Sequence, residues 1–256
     1  MEEVPLVGGN FSASVRIGDT VHRRAGRWTP AVHALLSHLQ RVGFGAAPQP
    51  LGMDEQGRAI LAFIPAEVHP GWPDPLPQWM FEDEATLVRA AKLLRRYHDS
   101  LQGFVPPPDA RWRFVPPGAH EVICHNDWSP SNALFRGHVP IVMIDWDSAG
   151  PGSRAWDVAV SAYNWVPLNP RVVPPSLADK AARFALFCDA YGEGIARRDV
   201  FDKLTEQLPA QADVLQAEAD AGVPGAVKLA GWNIPAVLRD DSAVLVQQRD
   251  ALCGLS

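Results

Sequence analysis

Five prolines fall between positions 65 and 77: Pro65, Pro70, Pro73, Pro75 and Pro77. Each removes a backbone donor and clashes with the preceding turn, so neither a helix nor an inner strand runs through this stretch. Before it the sequence reads as short strands. Ser14–Ile17 and Thr20–Arg23 alternate about a Gly18-Asp19 turn, a hairpin pattern. Thr29-Pro30 reads as an N-cap followed by the first helical residue, and Val32 to Leu39 has helical apolar spacing that stops at Gly43, Gly45 and Pro48. Leu51–Met53 and Ala59–Ile64 read as two more strands about Gln56-Gly57. After the prolines the pattern turns mainly helical. Asp83 to Leu101 carries Leu87, Ala90, Ala91, Leu94 and His98 on related faces, a second proline-rich stretch spans Pro106 to Pro117, and the region after Pro175 is helical between breakers at Gly192, Gly194, Pro209, Gly222 and Pro224. Strands first and helices later predict an α+β fold of two unequal lobes, residues 1–66 and 67–256.

Composition excludes several classes. The 256 residues are 47% hydrophobic and 20% charged, enough to bury a core. The net charge of −6 argues against a protein that grips nucleic-acid phosphates. Cys124, Cys188 and Cys253 form no CxxC pair, so neither a zinc ribbon nor a disulfide framework is expected. No signal-peptide pattern and no run of ~20 apolar residues occurs, so a soluble, cytoplasmic protein without nucleic-acid or membrane partners is expected.

The densest chemistry lies in residues 121–147. Glu121–Cys124 is an apolar run, His125 to Ser131 a polar loop, and Ala133–Phe135 and Ile141–Ile144 are strands joined about Gly137. A hairpin of this length returns Asp145 to the neighbourhood of Asn132, with Asp127 on the loop just before. Two carboxylates and an amide oxygen form a hard-oxygen set of the kind magnesium takes, though each residue alone also suits an Asx-turn.

The run His125-x-Asp127-x-x-x-x-Asn132, followed 13 residues later by Ile144-Asp145-Trp146 and then by Ala149-Gly150-Pro151-Gly152-x-x-x-x-Asp157, resembles the catalytic loop and metal-binding segment of the aminoglycoside phosphotransferase family, which has a protein-kinase-like fold. The resemblance implies a small antiparallel β-sheet N-lobe, a larger mainly helical C-lobe, and transfer of the γ-phosphoryl of ATP or GTP to a small-molecule hydroxyl. Asp127 is then the catalytic carboxylate, Asn132 and Asp145 hold Mg2+, and His125 and Asp157 support the loop. Gly8, Gly9 and Ser12 are implied to cover the phosphates, and Phe63 and Ile64 to wall the base.

Two departures stand out. The fold normally carries a lysine on its third strand, whereas Thr20-Val21-His22-Arg23-Arg24 has none; Arg23, on the face of Val21, is its candidate replacement. The lysine's usual glutamate partner is missing from Pro30 to Gln40, where His33 is either a substitute or a helix-surface residue. The acidic residues Asp240 and Asp241 and the run Glu218 to Asp220 read as an exposed helix face; the resemblance implies the alternative that acids of this part line a pocket for a cationic aminoglycoside. Acceptors compatible with this pattern are an aminoglycoside antibiotic, or a metabolic sugar or amino alcohol; a non-catalytic nucleotide-binding module is the third possibility.

Overall fold

A computed structural model describes residues 2–6, 14–69, 75, 77–170 and 175–254. Five strands, β1 (Val4–Pro5), β2 (Ser14–Ile17), β3 (Thr20–Arg24), β4 (Pro50–Met53) and β5 (Arg58–Ala62), form an antiparallel sheet in the order β1-β2-β3-β5-β4. The β2–β3 hairpin closes with Ile17 opposite Thr20, and Gly18 takes the positive φ that its turn requires. In β3, Val21 and Arg23 share one face of the sheet. His22 points the other way and hydrogen-bonds Asp54 in the β4–β5 turn at 2.8 Å.

Helix α1 (Thr29–Arg41) follows this hairpin. Its cap is Trp28 rather than Thr29, whose hydroxyl instead accepts the Gly26 N–H at 2.9 Å; Pro30 lies in the first turn as expected. Val32, Leu35, Leu36 and Leu39 form its buried stripe. The helix is also tied to the larger lobe: His38 Nε2 donates to the Ser100 carbonyl at 2.9 Å, and the Met143 N–H donates to the Ala46 carbonyl just beyond α1, also at 2.9 Å.

The chain leaves the sheet through Phe63–Ala66 and enters a second one. Strand β6 (Glu67–Val68) pairs with β8 (Ala133–Arg136), which pairs with β9 (Val139–Met143). Between β6 and β8 lie α2 (Trp79–Glu82), α3 (Glu84–Asp99) and β7 (Val122–Cys124). Asp83 caps α3 through the Ala85 N–H, and all five residues of the expected α3 stripe are buried. Strand β7 pairs with β10 (Gly150–Gly152), where small residues are obligatory: a Cβ on Gly150 would lie 2.1 Å from the Phe114 carbonyl oxygen.

Among the described residues six helices follow: α4 (Arg154–Trp165), α5 (Leu177–Tyr191), α6 (Arg197–Asp220), α7 (Pro224–Gly231), α8 (Ile234–Gln247) and α9 (Arg249–Cys253). Ser153 caps α4, and Ser176 with Asp179 makes a capping box on α5. One expected breaker fails: Pro209 lies inside α6. It has no N–H to offer the Thr205 carbonyl, and Ser242 Oγ from α8 donates to that oxygen at 3.1 Å instead. A neighbouring helix thereby satisfies the group that the proline leaves open. Among the described residues no helix is long and apolar enough to cross a membrane.

Candidate active site

The loop after β7 is shaped by one carboxylate. Asp157, in the first turn of α4 and wholly buried, accepts the backbone N–H groups of His125 at 2.7 Å and Asn126 at 2.9 Å. Burial opposes ionisation of Asp157, but the hydrogen bond and charge of His98 and the charge of His125 outweigh it and hold the carboxyl below its ordinary range. His98 Nε2 lies 2.9 Å from the same carboxylate, and Nδ1 lies 2.7 Å from the Tyr191 hydroxyl. The carboxylate can only accept, so Nε2 carries the proton. His125 is buried against Trp146 and donates from Nε2 to the Ile144 carbonyl at 3.1 Å. Burial, outweighing the nearby carboxylates, lowers its pKa below the ordinary histidine value.

The β8–β9 hairpin closes as its sequence predicts. Ala133 lies opposite Met143, and the Ile144 N–H donates to the Asn132 carbonyl at 2.9 Å. Asn132 ends a short 3₁₀ turn, Pro130–Asn132, and its Nδ2 donates to the Asp127 carbonyl at 2.9 Å. That leaves the amide oxygen as its ligand-capable atom. Asp145 sits in the left-handed region at φ 59°, a conformation that costs a non-glycine residue ~1–3 kcal/mol and is characteristic of functional sites. Asp127, Asn132 and Asp145 all line one cleft of about 440 Å³. Burial and the Asp145 charge push the Asp127 carboxyl up to about 7.

Arg23 reaches across from β3. Its Nη2 donates to Asp145 at 2.7 Å and to Asp147 at 2.8 Å, with all three side chains largely out of water. Burial disfavours charge on Asp145, yet Arg23 outweighs it and holds that carboxyl low; on Asp147 burial and the neighbouring Asp145 prevail and raise the pKa. Arg23 thus pairs with two carboxylates, neither of them on α1. The signal for Asp147 in the sequence is the second acid of Asp145-Trp146-Asp147, which lies on the 3₁₀ turn Trp146–Ser148. His33 lies half-buried on α1, and burial together with the Arg23 charge lowers its pKa.

Other expectations need correction or fall elsewhere. Phe63 and Ile64 follow β5 on the segment that leaves the sheet, and the Arg16 guanidinium lies 3.8 Å over the Phe63 ring. Gly8, Gly9 and Ser12 lie outside the described residues. Asp241 is buried rather than exposed and accepts the Tyr163 hydroxyl at 2.7 Å. Glu218 lines the cleft and pairs with Arg113, a residue of the second proline-rich stretch that sequence reading left unremarked.

The donor chemistry fits a magnesium ion. Asn132 and Asp145 offer two hard oxygens on one wall, and magnesium typically completes its shell with phosphate oxygens and water.

Comparison with known proteins agrees with this architecture. The trifolitoxin immunity protein of Rhizobium leguminosarum bv. trifolii is 35% identical over 221 residues, covering 79% of each chain. Among solved structures, an amicoumacin kinase in complex with AMP-PNP, Ca2+ and its ligand superposes with a TM-score of 0.66 at 12% identity, over 99% of this chain and 88% of that one. The macrolide 2'-phosphotransferase of Brachybacterium faecium gives 0.58 at 16% identity, over 93% and 91%. At such identities the likeness is one of fold, and the fold is kinase-like. The APH phosphotransferase enzyme family model matches residues 19–199, from the β2–β3 turn to the start of α6. The loop that Asp157 braces and the hairpin that ends at Asp145 fall inside that span, and the chain belongs to this family.

Proposed function

We propose that this protein transfers the γ-phosphoryl group of ATP or GTP to a hydroxyl of a small molecule, and that the modification inactivates a toxic compound. One observation carries the reading: Asp127, Asn132 and Asp145 line one cleft. Phosphoryl transfer asks mainly for positioning and charge neutralisation. Asp127 accepts or orients the proton of the acceptor hydroxyl, the task of a positioned general-base carboxylate. Asn132 and Asp145 would hold Mg2+, which would supply charge neutralisation on the phosphates. Arg23 fixes the Asp145 carboxylate, Asp157 holds the loop backbone, and His125 ties that loop to Ile144. Residues 1–66 cover the nucleotide, and residues 67–256 carry the catalytic loop and the acceptor helices. A relative named for immunity to a toxin, and fold relatives named as kinases of amicoumacin and macrolides, support the inactivating role.

The test is a screen of hydroxyl compounds with both nucleotides, read as phosphate incorporation, with Asp127→Ala as the blank. Transfer by the wild type and none by Asp127→Ala, with nucleotide binding retained, is expected. Normal turnover in Asp127→Ala sinks the mechanism. The engagement of Arg23 by two carboxylates favours the non-catalytic nucleotide-binding module as the second reading. Nucleotide binding without transfer to any acceptor or to water selects it.

A further inference from the structure

The acceptor end of the cleft is lined by α4, α6, α7 and α8, and its chemistry is uneven. Asn164 and Gln211 supply neutral amides, and Val214, Leu215, Ile234 and Leu238 supply aliphatic surface. Among the described residues the carboxylates lining the cleft are Asp127 and Asp145, at the phosphate end, and Glu218. Glu218 is already engaged. Arg113 Nη2 lies 3.0 Å from its Oε2 and Arg113 Nε 3.3 Å from its Oε1, a two-pronged pair whose side chains are 14% and 26% exposed. The Arg113 guanidinium also lies 5.3 Å from the Trp28 ring, just before α1. It is thus held between the two lobes, near enough to Asp127 and Asp145 for its charge to lower both their pKa values.

A polycation needs carboxylates that it can pair with as it leaves water, since an unpaired charge is costly to desolvate. Here the one carboxylate that the described residues bring to the acceptor end is matched by a cation, and the surface they place around it is amide and aliphatic. We propose that Arg113 and Glu218 act as a charge-selecting pair, so that the acceptor is an amphipathic hydroxyl compound without net positive charge rather than an aminoglycoside-like polycation. This rests on the phosphotransferase reading and narrows its substrate class.

The test is binding of kanamycin, a polycation, and of its fully N-acetylated, uncharged form, by calorimetry at low ionic strength. The proteins are the wild type, Arg113→Met and Arg113→Met/Glu218→Gln, each checked for an intact thermal transition. Freeing Glu218 should tighten kanamycin binding about tenfold or more over wild type, and the added Glu218→Gln should abolish the gain. The acetylated form should change by less than about twofold. Absence of a kanamycin gain overturns the proposal, whether both proteins bind kanamycin equally or neither does. A gain that survives Glu218→Gln overturns it too, because the carboxylate is then not its source. Arg113→Gln carries the same test if the methionine variant does not fold. Magnesium-dependent ATP turnover, measured separately, reads the phosphotransferase assignment itself.

Discussion

Replacing Asp157 by alanine removes the acceptor of three donors in a site closed to water: the N–H groups of His125 and Asn126 and the Nε2–H of His98. A buried donor left unsatisfied costs ~1–3 kcal/mol, and breaking a buried charged partnership ~3–5 kcal/mol. Losing the carboxylate also removes its own desolvation cost, which offsets part of the sum. We expect a loss of about 4 kcal/mol, near the middle of that range. For a chain of this size each kcal/mol lowers the melting midpoint by about 2–4 °C, so a fall of roughly 8–16 °C is expected. Urea unfolding followed by tryptophan fluorescence is the assay, because Trp128 and Trp146 are buried beside this loop. The effect also has a pH signature. The folded-state pKa of Asp157 is lowered, so its stabilisation is present above the unfolded value of about 3.9 and fades as the pH falls through the folded one. The gap between wild type and Asp157→Asn should therefore stay constant from pH 7 to 5 and close only below about pH 4. A loss under about 1 kcal/mol in Asp157→Ala would refute the reasoning, since the amides would then have other acceptors.

Arg23→Met leaves Asp145 and Asp147 adjacent without their shared cation and should cost about 3–5 kcal/mol; adding Asp147→Asn should recover part of this in a double-mutant cycle of denaturant midpoints, and strict additivity would deny the coupling. Ser242→Ala strands the Thr205 carbonyl and should cost about 1 kcal/mol in thermal unfolding, an effect that Pro209→Ala should erase by restoring the missing N–H. Without metal, the folded chain keeps the Asp127 proton to about pH 7 while the unfolded chain releases it near pH 4, so wild-type stability falls across that interval. Asp127→Asn should gain in melting midpoint relative to wild type between pH 4 and 7 and hold that gain above; a flat difference would place the Asp127 pKa elsewhere.

Features carried by neighbours in sequence were legible, and those carried by distant charge pairs were not. The Gly18-Asp19 hairpin and the stripes on α1 and α3 follow from local spacing, as does the meeting of Asp145 with Asn132 across one short hairpin. No local rule joins Arg23 to Asp147, which is 124 positions away, or Arg113 to Glu218, 105 positions away. Sequence accordingly named the cation Arg23 but not its second partner. Pro209 misled for a related reason. Proline removes a donor and crowds the preceding turn, but here the carbonyl it leaves open finds a donor on α8, which no local pattern announces. The acid Asp241 looks like surface by composition, yet the Tyr163 hydroxyl gives it an interior partner.

The anchoring of α1 bears on how such a protein can be controlled. Moving the helix outward would break the His38–Ser100 hydrogen bond and expose Val32, Leu35, Leu36 and Leu39. Four such side chains at ~1.5–3 kcal/mol each amount to roughly 6–12 kcal/mol, comparable with the whole stability of a typical domain. In protein kinases the matching helix is repositioned as an on–off switch. Here a displacement that exposed all four side chains would approach unfolding in cost, so the docked position of α1 is strongly favoured. On the phosphotransferase reading, control would then fall to how many copies of the protein are present and to the arrival of its ligands.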